Sequence, residues 1–190
     1  MGASTHGAVL TQFRLVAIAT VALGAAWASQ AFAFWPFSDP TRLPLAPVYA
    51  GVCEECDLSG RILTGARMSN AVFNRADFSG AVLARADATN SEFEAADFSE
   101  ADLSGAKLVD AHCPRANFEG ATMESADARG ADFTSAAFAR ADVTDMNFDR
   151  ADLSGADLRH VRGLTQSQLD EACGDARTRL PRGMRVERCG

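Results

Sequence analysis

From Cys56 to His160 the apolar positions recur every five residues. One column runs Leu58, Leu63, Met68, Phe73, Phe78, Leu83, Ala88, Phe93, Phe98, Leu103 and Leu108. It continues through Cys113, Phe118, Met123, Ala128, Phe133, Phe138, Val143, Phe148 and Leu153 to Leu158. Eight of its twenty-one members are Phe and seven are Leu, so the column is built to fill apolar space. Two residues earlier stands a second column, Ala in seventeen of twenty-one places and interrupted only by Cys56, Arg61, Ser91 and Met146. A period of five belongs neither to an amphipathic helix nor to a half-buried strand. Held over about a hundred residues, a short fixed repeat predicts a solenoid in which each unit buries its apolar face against its neighbours.

The two columns predict two inward positions per repeat: a large side chain that fills the tube, and an Ala where the backbone turns too close to the axis for more. Asp or Asn is the most frequent residue between them, and its short polar side chain can hydrogen-bond local backbone at a turn.

Clean units such as Ala101-Asp102-Leu103-Ser104-Gly105 and Ala151-Asp152-Leu153-Ser154-Gly155 resemble the pentapeptide-repeat family. The resemblance spans roughly the segment 56–160 and implies an all-β solenoid: a right-handed quadrilateral β-helix with four repeats, and hence twenty residues, per coil. About five such coils would make a rod of ~25 Å at strand spacing. A twenty-residue coil would bring Phe78, Phe98, Phe118 and Phe138 into one interior ladder. It also makes volumes compensate within a coil. Where one face carries Phe93 or Phe133 the adjoining face carries Ala88 or Ala128, and where it shrinks to Cys113 its neighbour is Leu108. The domain order expected is a signal peptide (1–33), a Pro-rich linker or flap (34–52), the β-helix (53–162) and a helical cap with a Cys-containing tail (163–190).

The first segment sets the expected compartment. Residues 1–33 hold no acidic residue, one Arg at position 14, an apolar stretch from Leu15 to Ala26 and then Ser29-Gln30-Ala31-Phe32-Ala33. This is the layout of a secretory signal peptide cut after Ala33, and it is too short for an uncleaved span of about 20 apolar residues. The expectation is therefore a periplasmic or secreted protein with no integral membrane segment after cleavage. Without Arg14 the chain would carry 25 acidic and 17 basic residues, net −8. Phe34-Trp35-Pro36-Phe37 with Pro40, Pro44 and Pro47 disfavours helix and central strand. It reads as a linker or a flap over the first coil, or as a docking peptide anchored by Trp35 and Phe37.

At the other end the period breaks, and Thr165 with Gln168 forms a capping box, Leu164 with Leu169 a hydrophobic staple, and Gly174 a helix stop. A short helix closing the last coil is predicted.

Of the five cysteines, Cys113 falls in the inward column and is expected to be an inert buried thiol. In an oxidising compartment Cys173 and Cys189 would pair, and Cys53 with Cys56 would form a local bridge at the start of the first coil. Two carboxylates inside Cys53-Glu54-Glu55-Cys56 oppose a reactive thiolate, and no βαβ context surrounds it. A zinc site needs four ligands, whereas the two cysteine pairs lie at opposite ends of a ~25 Å rod. A thiol or metal function through Cys53 and Cys56 is accordingly the weakest of the readings.

No catalytic constellation emerges, and no cofactor, metal or substrate is implied. His112 and His160 stand in outward columns far apart, and the carboxylates recur because the repeat places them. Two non-enzymatic classes remain. One is an exported scaffold that presents flat β-helix faces to a protein partner in the cell envelope. Arg67, Asp87, Lys107 and Asp127 would form one alternating ladder on such a face, and Asp57, Asp77 and Asp97 an acidic file on another. The other class is a DNA mimic, since some pentapeptide-repeat proteins occupy DNA gyrase and confer quinolone resistance. A ~25 Å length of B-DNA carries ~15 negative charges. Residues 56–160 hold eighteen acidic and ten basic side chains, a net of −8, with the cations scattered along the rod. The scaffold reading is therefore preferred, with no nucleic-acid partner.

Overall fold

The computed structural model describes residues 51–190. The expected signal peptide, its cleavage after Ala33 and the Trp35 and Phe37 flap lie outside the described residues.

Local geometry is set by the repeat. Leu58 C=O accepts a hydrogen bond from Arg61 N–H at 3.2 Å, and the same i to i+3 bond recurs down the chain, for example Ala101 N–H to Phe98 C=O at 3.1 Å. The third residue of each turn has positive φ at every fifth position from Glu55 to Gly155. This is the type II arrangement, whose third position favours Gly or Asn. Only seven of those twenty-one positions are Gly; the others include Arg75, Arg85, Ala95, Glu100, Arg115 and Arg140. A single L-residue in this region is strained, so stacking must hold these turns in place.

Stacking is parallel and in a register of twenty. Val52 bridges Val72, Asp57 bridges Asp77, and the series continues to Asp142 with Arg162. Each repeat contributes only a bridge between two turns, so no extended strand develops over this region. Phe98 illustrates the bonding. Asp97 N–H reaches back to Ala76 C=O at 2.9 Å, while Phe98 N–H reaches forward to Asn117 C=O at 2.7 Å and Glu100 N–H to Glu119 C=O at 2.9 Å. Interior coils thus satisfy their backbone groups with the coils on either side, as buried backbone requires.

Both inward columns are buried. From Ala71 through Ala156 every Ala of the second column is at most 1% exposed, and Phe78, Phe118, Phe133, Phe138 and Phe148 are fully enclosed. Phe78, Phe98, Phe118 and Phe138 stack at successive centroid distances of 4.8, 5.1 and 5.0 Å. Phe93 and Phe133 meet the ladder edge-on at 5.2 and 5.3 Å. Two exceptions to the Ala column are accommodated. Ser91 is buried and its hydroxyl donates to Met68 C=O at 2.5 Å, and Met146 is 1% exposed.

The repeat ends at Gly163, where φ is +74° and a Cβ would stand 2.7 Å from the Thr144 Cα. Helix α1 follows over Gln166–Leu169, then β1 at Cys173–Gly174 and β2 at Glu187–Arg188, paired in parallel. Gln168 Oε1 accepts from Thr165 N–H at 2.8 Å, and its amide donates to Val143 and Met146 carbonyls at 2.8 and 2.9 Å. Leu169 and Ala172 are buried in the core, and Leu164, Leu180, Met184 and Val186 pack against it. Gly174 is not the helix stop expected from the sequence. The helix ends at Leu169 because the last coil recruits the following residues: Cys173 N–H bonds Ala151 C=O at 2.9 Å and its C=O accepts from Leu153 N–H at 2.8 Å. Registers there lengthen, with Asp152 bridging Cys173 and Asp157 bridging Arg179.

Candidate interaction surface

The residues between the two inward columns build the outer faces. Asp57, Asp77 and Asp97, whose file would be costly unless each carboxylate met local backbone, are tied down individually. Their Oδ1 atoms accept from the N–H of Ser59, Ser79 and Ser99 at 3.1, 2.8 and 2.9 Å. The same Asx turn recurs at Asp102, Asn117, Asp132, Asp142, Asn147 and Asp152. Hydrogen bonds donated to a carboxylate favour its charged form. Asp57 is held below the usual carboxylate range by the Ser59 hydroxyl and N–H, and Asp142 by those of Thr144. At Asp157 the Arg159 guanidinium, bonded at 2.9 and 2.7 Å, brings the pKa to about 2.

The expected Arg67, Asp87, Lys107, Asp127 ladder exists in register, with no direct ion pair between its side chains. These residues bridge one another through backbone. Asp87 accepts from Thr89 Oγ1 at 2.8 Å in its own turn and from Ser69 Oγ at 3.0 Å in the preceding coil, and Asp127 is gripped by Arg129 at 2.8 Å through two nitrogens. Among the described residues, the cross-coil ion pairs include Arg75 with Glu55 at 2.9 Å, Arg115 with Glu94, Arg140 with Glu119 at 2.9 Å and Arg162 with Asp142 at 3.7 Å. Three of these arginines occupy positive-φ turn positions. Side-chain identity varies along this column because only its backbone role is constant.

Cys53 and Cys56 form a disulfide, and so do Cys173 and Cys189, with Cα atoms 5.5 and 4.9 Å apart. Cys113 is a free, fully buried thiol whose pKa burial pushes up, which leaves it unreactive. Asp152 lies beside the second disulfide, its Oδ1 3.2 Å from Cys189 Sγ. The three groups have ligand atoms within 4.8 Å of one another, but the two sulfurs are bonded to each other and offer no thiolate. His112 Nδ1 meets Asp132 Oδ2 at 2.8 Å on an exposed face, and no pairing links it to His160. A shallow cleft of about 470 Å³ between α1 and β2 is lined by Gln166, Asp170, Arg185 and Glu187 and holds no nucleophile and base in reach of each other. No described helix is long and apolar enough to cross a membrane.

Four overlapping stretches, residues 53–87, 76–112, 96–134 and 129–162, match the model for pentapeptide repeats in eight copies, and together they cover more than half of the chain. The chain belongs to the pentapeptide-repeat family. A pentapeptide-repeat protein from the Arabidopsis thaliana thylakoid lumen is similar in structure, at 31% identity and TM-score 0.51, over 51% of this chain and 68% of that one. HetL, a pentapeptide-repeat protein involved in heterocyst differentiation regulation in Nostoc sp. strain PCC 7120, aligns at 26% identity and TM-score 0.34, over 58% of this chain and 53% of its own. QnrB1, a plasmid-mediated fluoroquinolone resistance protein, aligns at 17% identity and TM-score 0.35, over 66% of this chain and 80% of its own. No curated protein sequence matches the chain. Pentapeptide-repeat proteins of this kind are right-handed quadrilateral β-helices, the architecture expressed here by the twenty-residue bridge register.

Proposed function

We propose that this pentapeptide-repeat chain is an exported, non-enzymatic scaffold that presents its flat faces to a protein partner in the cell envelope. The observation that carries the reading is the pair of disulfides, one at the first coil and one in the terminal segment, with the remaining cysteine buried. Such a distribution suits an oxidising compartment. The 31%-identical relative from the thylakoid lumen supports the same direction. The outer faces suit docking because they are already ordered: short side chains are fixed by Asx turns, so a partner loses little side-chain entropy on contact. Catalysis is not proposed, since no described cleft assembles reacting groups.

Site-specific photo-crosslinking in native cells tests the docking claim. Photoreactive side chains at Glu94, Ser99, Ser104 and Val109 sample the four faces in turn. One envelope protein captured from one face, with the opposite face silent, is the expected pattern. Equal yields from all four faces, or no adduct from any, would overturn face-specific docking.

A further inference from the structure

We propose that Asp152 shields the Cys173–Cys189 disulfide from reduction by thiols, and from anionic thiols most of all. The inference is independent of compartment and partner.

The repeat places Asp152 for a backbone reason. Its Oδ1 accepts from Ser154 N–H at 2.8 Å, as the aspartates of earlier coils do in their own turns. Beyond this coil the period is broken, and β1 takes the place of a repeat. Asp152 bridges Cys173, and Leu153 N–H donates to Cys173 C=O at 2.8 Å. β2 lies beside β1, with Cys189 N–H donating to Gly174 C=O at 3.0 Å. The bond that joins the two strands is thereby laid against a turn carboxylate already fixed in place. Asp152 Oδ1 stands 3.2 Å from Cys189 Sγ, and Ser154 Oγ 3.5 Å from the same sulfur. Asp152, Cys173 and Cys189 are all part-buried, which leaves the sulfurs within reach of a small thiol. Of the neighbouring charges, Glu187 and Arg188 are opposite in sign, and Asp175 is paired with Arg177 at 2.8 Å.

Reduction by a thiol RSH runs through its thiolate in two exchanges. In the first, RS⁻ bonds to one sulfur of the disulfide and the other sulfur leaves as a thiolate. Attack at Cys189 brings RS⁻ up to the Asp152 carboxylate; attack at Cys173 expels the Cys189 thiolate against it. Either route sets two negative charges side by side where part of the water is excluded, and there like charges repel more strongly than in open solvent. A second RS⁻ then attacks the outer sulfur of the mixed disulfide. Two RSH become RSSR, and Cys173 and Cys189 become thiols. A further negative charge on R adds to the repulsion, and a positive one offsets it.

Differential alkylation with peptide masses, on the full chain, follows each disulfide separately during exposure to mercaptoethanesulfonate, mercaptoethanol or cysteamine at equal thiolate concentration. Asp152→Asn removes the charge and keeps the acceptor, for Asn147 makes the same turn with Asp149 N–H at 2.8 Å. The variant should lose the Cys173–Cys189 bond to mercaptoethanesulfonate about three- to tenfold faster than the parent, with a smaller gain for mercaptoethanol and the least for cysteamine. The rate at Cys53–Cys56 should not change, and Cys113 should stay closed to alkylation as the sign that the variant folds. Asp152→Ala should reproduce the order, since Ala137 already occupies a bridging position of the repeat. Equal acceleration by all three thiols would mean that the substitution only loosens the strand, and would overturn the proposal. Rates unchanged from the parent would overturn it as well.

Discussion

Phe98 and Phe118, twenty residues apart in sequence, stack with ring centroids 5.1 Å apart and planes only 2° from parallel. Their backbones are tied in the same step, Phe98 N–H donating to Asn117 C=O at 2.7 Å. Side-chain ladder and backbone ladder thus enforce one register. Truncating a ring in the middle leaves a cavity that the coils on either side cannot close. Phe98→Ala should cost about 3–5 kcal/mol in chemical denaturation, and Phe98→Asp should abolish folding. A Phe98→Asp chain with unchanged melting would remove Phe98 from the core.

Ala95 has φ of 54°, in the left-handed region, and is exposed. Gly relieves the Cβ strain there at the expense of some chain entropy. Ala95→Gly should therefore stabilise the protein by about 0.5–1 kcal/mol, the opposite of the usual effect of Ala→Gly. Ala96→Gly, at the fully packed neighbouring position, should destabilise. Denaturation midpoints of the two variants check the sign.

The two disulfides should contribute unequally. Cys173 and Cys189 are separated by 16 residues and Cys53 and Cys56 by 3. Loop-closure entropy gives about 3 kcal/mol for the first and roughly 1.5 kcal/mol for the second. Reduction should lower the melting temperature, and Cys189→Ser should account for most of the drop. Melting unaffected by reductant would contradict the closure role of the terminal segment.

Acid should weaken the fold through Asp157. Its ordinary pKa of 3.8 falls to about 2 in the folded chain, chiefly through the Arg159 side-chain hydrogen bond. A depressed carboxylate contributes stability that is fully present above the unfolded value and is lost as pH falls through the folded one. Asp157→Asn keeps an acceptor for Arg159 N–H but removes the charge. The variant should melt below the parent near neutral pH, and the gap should close by about pH 2. A gap that stays constant across that range would exclude the charge as its source.

Much of the architecture was legible in the sequence because two columns carry it. Ala needs to be small and Phe or Leu large, so composition alone exposes the period, and Asp betrays the turn bond that ties Asp77 to Ser79. Positive φ at every fifth residue was not legible. Its column mixes Gly, Arg, Asn, Glu and Ala because stacking, rather than side-chain preference, holds that backbone conformation. The helix end was misplaced for a related reason: Gly174 carries a local stop signal, but the open edge of the last coil captures Cys173 first. Bonding within the charge ladder was not legible either, because Asp87 and Asp127 meet nearer partners, Thr89 and Arg129, in their own turns. The surface gave no partner, since a repeat that fixes every outer residue for backbone reasons writes little about what lies against it.

The export reading stands on the most direct measurement: fractionation of native cells, with N-terminal sequencing and an alkylation mass for the recovered protein. The account predicts a chain beginning at Phe34 in the envelope fraction, with Cys113 alkylated once the chain is denatured and the other four cysteines only after reduction. An intact Met1 in the cytosol with five free thiols would contradict it.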